Sequence, residues 1–246
     1  MATTWYFRDT NAATGPTGTL LGAYVTDNFP LVPNDKNTPK NMNATPGSGQ
    51  VEVSGVYNNA GAVKQTFFRI FVSPALAAQT LLTGASFILA IGVKESSGSM
   101  NFLLKCTTYC VYLWRDGVGL VTLLGSPACS NEHGTNETEC VDADVGLTGN
   151  IEVQTGDRIV VEIWGFFNNT KSADYTAYIY YDGTDTTMVD DTATTNAGSY
   201  LYCSQTLNEA PAGPTNYPRK CDGGLAWTQG KVARKGTLNR KQEGAI

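Results

Sequence analysis

Hydrophobic and polar positions along the chain alternate with a period of two in most of its readable runs, and the runs are short and separated by turn residues. Trp5 to Arg8 is the first. Val51, Val53, Gly55 and Tyr57 then alternate with Glu52, Ser54 and Val56, which predicts a strand with one inward face. Gln65 to Ser73 reads Gln-Thr-Phe-Phe-Arg-Ile-Phe-Val-Ser, with apolar side chains on both faces, so this strand is predicted to be covered on each side before Pro74 ends it. Ala85 to Lys94 sets Phe87, Leu89, Ile91 and Val93 on one face. Asn101 to Lys105, Cys110 to Arg115 and Gly119 to Leu124 continue the series, with a turn at Arg115-Asp116-Gly117. Gly146 to Val153, Arg158 to Phe166, Asp174 to Tyr181 and Ser199 to Leu207 complete it, while Ala75 to Gly84 reads as one helical turn or a crossing loop. Strands at this spacing predict an all-β, antiparallel β-sandwich, jelly-roll-like in organisation.

Two stretches fall outside the pattern. Pro30 to Gly49, rich in Pro, Asn and Thr, predicts an extended arm (30–49) with no regular element, either an ordered segment lying on a partner or a loop. After Leu207 the segment Glu209-Ala-Pro-Ala-Gly-Pro breaks the alternation. The expected organisation is therefore a sandwich over 1–207 and a Pro/Gly-rich, then basic, tail over 208–246.

Charge sharpens that division. From Pro218 onward Arg219, Lys220, Lys231, Arg234, Lys235, Arg240 and Lys241 face only Asp222 and Glu243, a net +5, which leaves −10 on the first 217 residues of a chain whose formal total is −5. An acidic body lacks the concentrated basic face that phosphate binding needs, so nucleic acid is not an expected partner. The tail suits docking on an acidic neighbour. Charged residues are only 16% of the chain, while Gly and Thr are abundant, as turn-rich β structure requires.

The start, Met1-Ala-Thr-Thr-Trp-Tyr-Phe-Arg, lacks the pattern of a signal peptide, and the best apolar run, Ala85 to Val93, is far short of the roughly 20 residues of a membrane span. Synthesis in a cytoplasm without membrane insertion is expected. The six cysteines point to an oxidising destination. Their spacing favours Cys129 with Cys140, bracketing a polar loop (129–140), and Cys203 with Cys221, while Cys106 and Cys110 complete the set of possible disulfides. Reduced thiols and, less readily, a zinc site are the alternatives.

Catalytic chemistry is thinly provided. His133 is the one histidine and sits in a polar loop, where a solvated surface side chain is expected. Glu152 and Glu162 on neighbouring strands form a carboxylate pair of the kind a glycosidase would need only if they converged. Asp142, Asp144, Asp182, Asp185, Asp190 and Asp191 place hard oxygen ligands in loops, so calcium is a better candidate than any transition metal, and no cofactor is otherwise expected. Tyr178 and Tyr180, with Trp114 and Trp164 on other strands, suit an aromatic surface for a glycan or a subunit contact, or simple cross-strand packing.

Five motifs in order, Trp5-Tyr-Phe-Arg-Asp-Thr, Phe68-Arg-Ile-Phe-Val-Ser-Pro-Ala-Leu-Ala-Ala-Gln, Val111-Tyr-Leu-Trp-Arg-Asp-Gly, Gly156-Asp-Arg-Ile-Val-Val-Glu-Ile-Trp and Tyr180-Tyr-Asp-Gly-Thr, resemble those of jelly-roll-type β-sandwich virion structural proteins, capsid-decoration or fibre-like, of tailed phages and environmental viruses. The resemblance spans Trp5 to Thr184 and implies a non-enzymatic particle component with no catalytic residues. Strands apolar on both faces, where a protein meant to stand alone would show one wet face, add the expectation of a homo-oligomer such as a trimer, with other virion proteins as partners, the major capsid protein first. The resemblance also implies location in a virion that leaves the host by lysis. A carbohydrate-binding or receptor-binding fibre domain is the alternative from another class. The cysteine-bracketed loop and basic tail depart from the resemblance.

Overall fold

The computed structural model describes residues 2–16, 38–58, 64–104, 111–125, 133–143, 146–167, 173–187 and 193–211. Met1–Pro211 forms one compact unit, and the basic tail lies outside the described residues. Among the described residues there is no helix. The strands, in chain order, are β1 (Thr3–Asn11), β2 (Lys40–Asn43), β3 (Val51–Asn58), β4 (Lys64–Val72), β5 (Gln79–Leu81), β6 (Phe87–Glu95), β7 (Phe102–Leu104), β8 (Val111–Arg115), β9 (Gly119–Gly125), β10 (Thr138–Ala143), β11 (Ile151–Val153), β12 (Arg158–Phe167), β13 (Asp174–Tyr181) and β14 (Tyr200–Cys203).

The order in which they pair identifies the architecture. Setting aside the short elements, eight principal strands follow one another: β3, β4, β6, β8, β9, β10, β12 and β13. One layer is β3-β13-β6-β10, the first, eighth, third and sixth of them; the other is β4-β12-β8-β9, the second, seventh, fourth and fifth. Apart from the β8–β9 hairpin within one layer, consecutive principal strands alternate between layers and return beside earlier ones, which is the double Greek key of a jelly roll. β14, β1 and β2 join the layers along one side by continuous hydrogen bonding, so the described strands of both layers belong to one sheet. β5 and β11 form a separate two-stranded sheet.

Alternation along each strand fills the space between the layers. Phe87, Leu89, Ile91 and Val93 of β6 and Tyr175, Ala177, Ile179 and Tyr181 of β13 meet Phe68 and Phe71 of β4, Val111 and Leu113 of β8, and Ile159, Val161 and Ile163 of β12 in one core. Aromatic rings tie the joining strands to both layers: Phe7 stacks on Phe71 with centroids 4.2 Å apart, and Phe71 meets Tyr181 edge-on at 5.0 Å. Each such ring fully withdrawn from water contributes about 1.5–3 kcal/mol.

β4 is buried on both faces, as its sequence predicts, because a bulge resets its alternation. Ile163 pairs with Arg69 and Trp164 with Phe67, leaving Phe68 as the extra residue. Phe68 and Phe71 therefore point inward while Phe67, Ile70 and Val72 point outward.

Three expectations are corrected. The arm 30–49 contains a strand after all: β2 pairs with β1, and its Met42, opposite Phe7, is buried. The expected all-β sandwich itself holds, and the β2–β4 contact is a parallel one in a sheet whose other described pairings are antiparallel. The loop bracketed by Cys129 and Cys140 ends inside β10, which pairs with β6 from Thr138 to Ala143. Of Gly146 to Val153, only Ile151–Val153 is a strand.

Candidate functional site

With the interior packed, the chemistry of the molecule lies on the two outward faces. Cross-strand register builds the outer face of the β3-β13-β6-β10 layer row by row. Glu52, Tyr180, Gly92 and Glu139 are successive partners across four strands, and Ser54, Tyr178 and Lys94 form the next row. The Tyr180 hydroxyl donates to the Glu52 carboxylate, and Lys94 Nζ sits 5.5 Å from the centre of the Tyr178 ring. Tyr178 and Tyr180 stack at 6.4 Å. Burial and the Glu52 charge push the Tyr180 hydroxyl well above the ordinary phenol range. Burial likewise raises the Glu137 carboxyl against the Gln50 amide that donates to it, and Glu52 and Glu139 push in the same direction.

The tyrosines of this face hold down a crossing segment. Ala197 packs with Ala90 and Tyr180, joined by Tyr178, Tyr200 and Val141, and Tyr180 is only 6% exposed. Gly92 makes this possible: a Cβ there would lie 2.6 Å from the Ala197 side chain. Ser199 completes the attachment, donating from Oγ to the Tyr180 carbonyl at 2.6 Å and accepting from Gly92 N–H at 3.1 Å.

The outer face of the β4-β12-β8-β9 layer has a different character. Phe67, Ile70, Val72, Tyr112, Trp114, Val160 and Trp164 form a second buried apolar cluster, joined by Leu120 and Leu123. Glu162 lies among them, fully buried, its carboxylate accepting from the Tyr112 hydroxyl at 2.8 Å and from Trp164 Nε1 at 3.1 Å. Burial first, and then the Glu162 charge, push the Tyr112 hydroxyl far above the phenol range.

The aromatic surface expected from Trp114, Trp164, Tyr178 and Tyr180 is therefore divided. The two tryptophans are buried on one outer face and the two tyrosines lie on the other, because a jelly roll sends β12 and β13 to opposite layers. Glu162 and Glu152 do not face each other. Glu152 is exposed on β11, in the separate small sheet, and accepts from Thr80 Oγ1.

His133 is corrected from a solvated to a buried residue. The chain before β10 folds back so that His133 N–H donates to the Phe102 carbonyl, Leu104 N–H donates to His133 Nε2, and the ring meets Phe102 edge-on. Polar neighbours in the sequence concealed this, since backbone bonds rather than side-chain hydrophobicity fix the position.

Asp182, one of the candidate calcium ligands, is occupied by protein donors: Arg8 Nε at 2.6 Å and Asp9 N–H at 3.1 Å. Asp185 accepts from Thr187 N–H. Asp144, Asp190, Asp191 and the Asp142 side chain lie outside the described residues, among which no group of three potential metal ligands occurs. Cys140, fully buried on β10, is disulfide-bonded. Cys203 is buried on β14. Cys106, Cys110, Cys129 and Cys221 lie outside the described residues, as do Arg219, Lys220, Lys231, Arg234, Lys235, Arg240 and Lys241.

No protein-family model and no curated protein matches the chain. Among solved structures it is similar to a chain in the structure of infectious bursal disease virus Gx strain, with 13% identity over 68% of this chain and 35% of that one and a TM-score of 0.26. It is likewise similar to a chain of the infectious bursal disease virus VP2 subviral particle, with 11% identity over 72% of this chain and 45% of the other and a TM-score of 0.25. The chain thus spans less than half the length of each. TM-scores this low carry no inference about fold or function, and the jelly-roll assignment rests on strand order.

Sequence reasoning missed two features that govern these faces. The Glu162 site needs Tyr112 and Trp164, whose convergence depends on the β12–β8 register, in which Val160 faces Tyr112. The Arg115–Asp157 pair, bidentate at 2.6 and 2.8 Å with Gln154 N–H as a third donor, locks the turn before β12 to the end of β8. Burial raises the Asp157 carboxyl, but the Arg115 guanidinium and the Gln154 N–H more than offset it and hold it below the usual carboxylate range. The sequence signal for this pair is the turn triplet Thr155-Gly156-Asp157 just ahead of β12.

Proposed function

We propose that this chain is a non-enzymatic structural component of a virus particle, most specifically a decoration or head-projection protein of a tailed-phage capsid acting as a homo-oligomer on the major capsid protein. The observation that carries the reading is the strand order 1-8-3-6 over 2-7-4-5 around an interior filled by aromatic and aliphatic side chains. Jelly rolls serve as capsid domains, lectin domains and cupins. A cupin builds its centre inside the barrel. Here Phe7, Phe68, Phe71, Phe87 and Tyr181 occupy that space, and His133 is committed to backbone bonds. The described carboxylates of highest interest, Glu162, Asp157 and Asp182, are likewise engaged with protein donors. What remains to act is surface.

The disulfide at Cys140 supports a particle that ends in an oxidising medium, because cytosolic proteins seldom keep such bonds. The basic segment from Arg219 to Lys241 is the proposed docking element for capsid.

Mass spectrometry of purified particles, paired with light scattering of the isolated protein, tests the proposal. The expected result is a chain present in stoichiometric amounts in particles and oligomeric in solution. A stable monomer absent from particles refutes it. The carbohydrate-binding reading draws on half-buried Tyr178 and Gln50 and exposed Glu52 on one face, and glycan-array binding lost on Tyr178→Ala would replace the structural reading with it.

A further inference from the structure

The two edges of β7 are closed in different ways. On one side β7 pairs with β12, Leu103 facing Phe166. On the other, the backbone groups of Phe102 and Leu104 lie along one line, and the described strands offer them no partner. Phe102 N–H donates to Glu95 Oε2 at 3.1 Å, the Phe102 carbonyl accepts from His133 N–H at 3.0 Å, and Leu104 N–H donates to His133 Nε2 at 3.3 Å. Glu95 and His133 are both buried. Two ionisable side chains thus take the place of a strand, which buried backbone groups require in some form. Glu95 N–H donates in turn to the Gly134 carbonyl at 3.0 Å, so residues 133–134 strap the end of β6 to β7 just ahead of β10.

The bond from Leu104 fixes the protonation state of the ring. Nε2 accepts only through its lone pair, so the imidazole is neutral and its proton is on Nδ1. An imidazolium carries N–H at both nitrogens and accepts nothing. A proton placed on Nε2 would set donor against donor at Leu104, inside a buried edge. The strap therefore has to open before the ring can charge.

We propose that His133 is a proton-operated latch: neutral, it holds the outer edge of β7 shut against residues 133–134, and charged, it releases that strap and the entry to β10. The surroundings of the ring suit this role. From β6 the charged group at this edge is Glu95, whose carboxylate cannot restore the acceptor that Leu104 loses. β7 contributes Phe102, which meets the ring edge-on, and Phe68 of β4 and Phe167 of β12 lie behind Phe102; none of the three titrates. On the latch's own segment Glu137 is bonded to Gln50, and Glu139 stands opposite Gly92 on the outer face. The opened form takes up its proton in the ordinary histidine range, near a pH of about 6.5, while the closed form excludes it. The closed state binds fewer protons, so closure is fully present above that range and weakens as pH falls below it. Between pH 7.5 and pH 5.5 the opening equilibrium should rise about tenfold.

His133 is the one histidine of the chain, so 15N-histidine labelling of the full protein gives a single imidazole to follow. At pH 7.5 its nuclear magnetic resonance spectrum should show Nδ1 protonated and Nε2 bare; a proton on Nε2 overturns the inference. Hydrogen exchange of the Leu104 amide, corrected for the intrinsic rate at each pH, should then give an opening equilibrium about tenfold larger at pH 5.5 than at pH 7.5. In His133→Gln the side-chain carbonyl can take the Leu104 N–H and does not titrate, so the same change of pH should alter opening by less than about twofold. Corrected exchange that stays constant in the wild type, or that rises as far in the variant, overturns the latch. The tautomer and the wild-type exchange are read on the unaltered chain and decide the matter even where the glutamine variant does not fold.

Discussion

Truncating Glu162 gives the sharpest test of how the second outer face is built. In the intact protein its carboxylate accepts from the Tyr112 hydroxyl and from Trp164 Nε1, and all three side chains are buried. Glu162→Ala leaves both donors in an apolar surrounding. Each orphaned donor costs about 1–3 kcal/mol, so the two together cost about 2–6 kcal/mol. For a chain of this size a loss of 1 kcal/mol lowers the melting temperature by about 2–4 °C, which puts the expected drop at roughly 4–24 °C. Differential scanning fluorimetry and urea unfolding read it directly. The companion variant, Glu162→Met with Tyr112→Phe, removes the acceptor together with one donor and restores volume, so it should lose less than Glu162→Ala. Were Glu162→Ala to melt within a degree or two of the wild type, or the double variant to be the less stable of the two, the buried bonding described for this face would be wrong.

Asp157→Asn should lower the melting temperature by about 5 °C at pH 7 through loss of charge-assisted bonds to Arg115 and Gln154. Because the folded carboxyl is held below its unfolded value, its stabilisation is present above pH of about 4 and lost as pH falls through the folded value. The gap between wild type and variant, measured from pH 7 to pH 3, should therefore close on the acid side; a constant gap would exclude the ion pair. Gly92→Ala drives a methyl group to 2.6 Å from the Ala197 side chain and should cost about 1–3 kcal/mol in urea unfolding. Adding Ala197→Gly should recover most of that loss, and failure to recover would place the conflict elsewhere.

The strands were legible where burial on at least one face wrote a clear alternation. Asp174 to Tyr181 coincides with β13, and Arg158 to Phe166 stops one residue short of β12. Phe68, Ile70 and Phe71 announced a strand covered on both sides, and the core confirms why. β2 was hidden because Lys-Asn-Met-Asn has a single apolar residue, Met42, and its pairing depends on β1 and β4 far away in sequence. β10 was hidden similarly, since Glu139 breaks the apolar run yet is buried beside Gly92.

Site chemistry was less legible than the fold. Trp114, Trp164, Tyr178 and Tyr180 are visible as aromatic strand positions, but which outer face each meets follows from the order of strands in the layers. His133 reads as polar-loop surface because the backbone bonds that bury it leave no mark on its neighbours. Nothing in residues 112 and 162, fifty positions apart, foretells that a tyrosine and a glutamate meet.

The placement of β1 has a consequence for how the molecule is made. Thr3 pairs with Cys203, Leu207 N–H donates to Thr3 Oγ1, and Trp5 Nε1 donates to Glu209, so β1 is bonded to residues that lie up to 204 positions later in the chain. The seam between the layers cannot be sewn during translation. β1 can meet β2 early, but its other edge stays without β14 until about two hundred further residues have emerged, and contacts so distant in sequence make for slow folding. Closure of that last seam, rather than formation of either layer, is therefore expected to set the pace at which this unit matures.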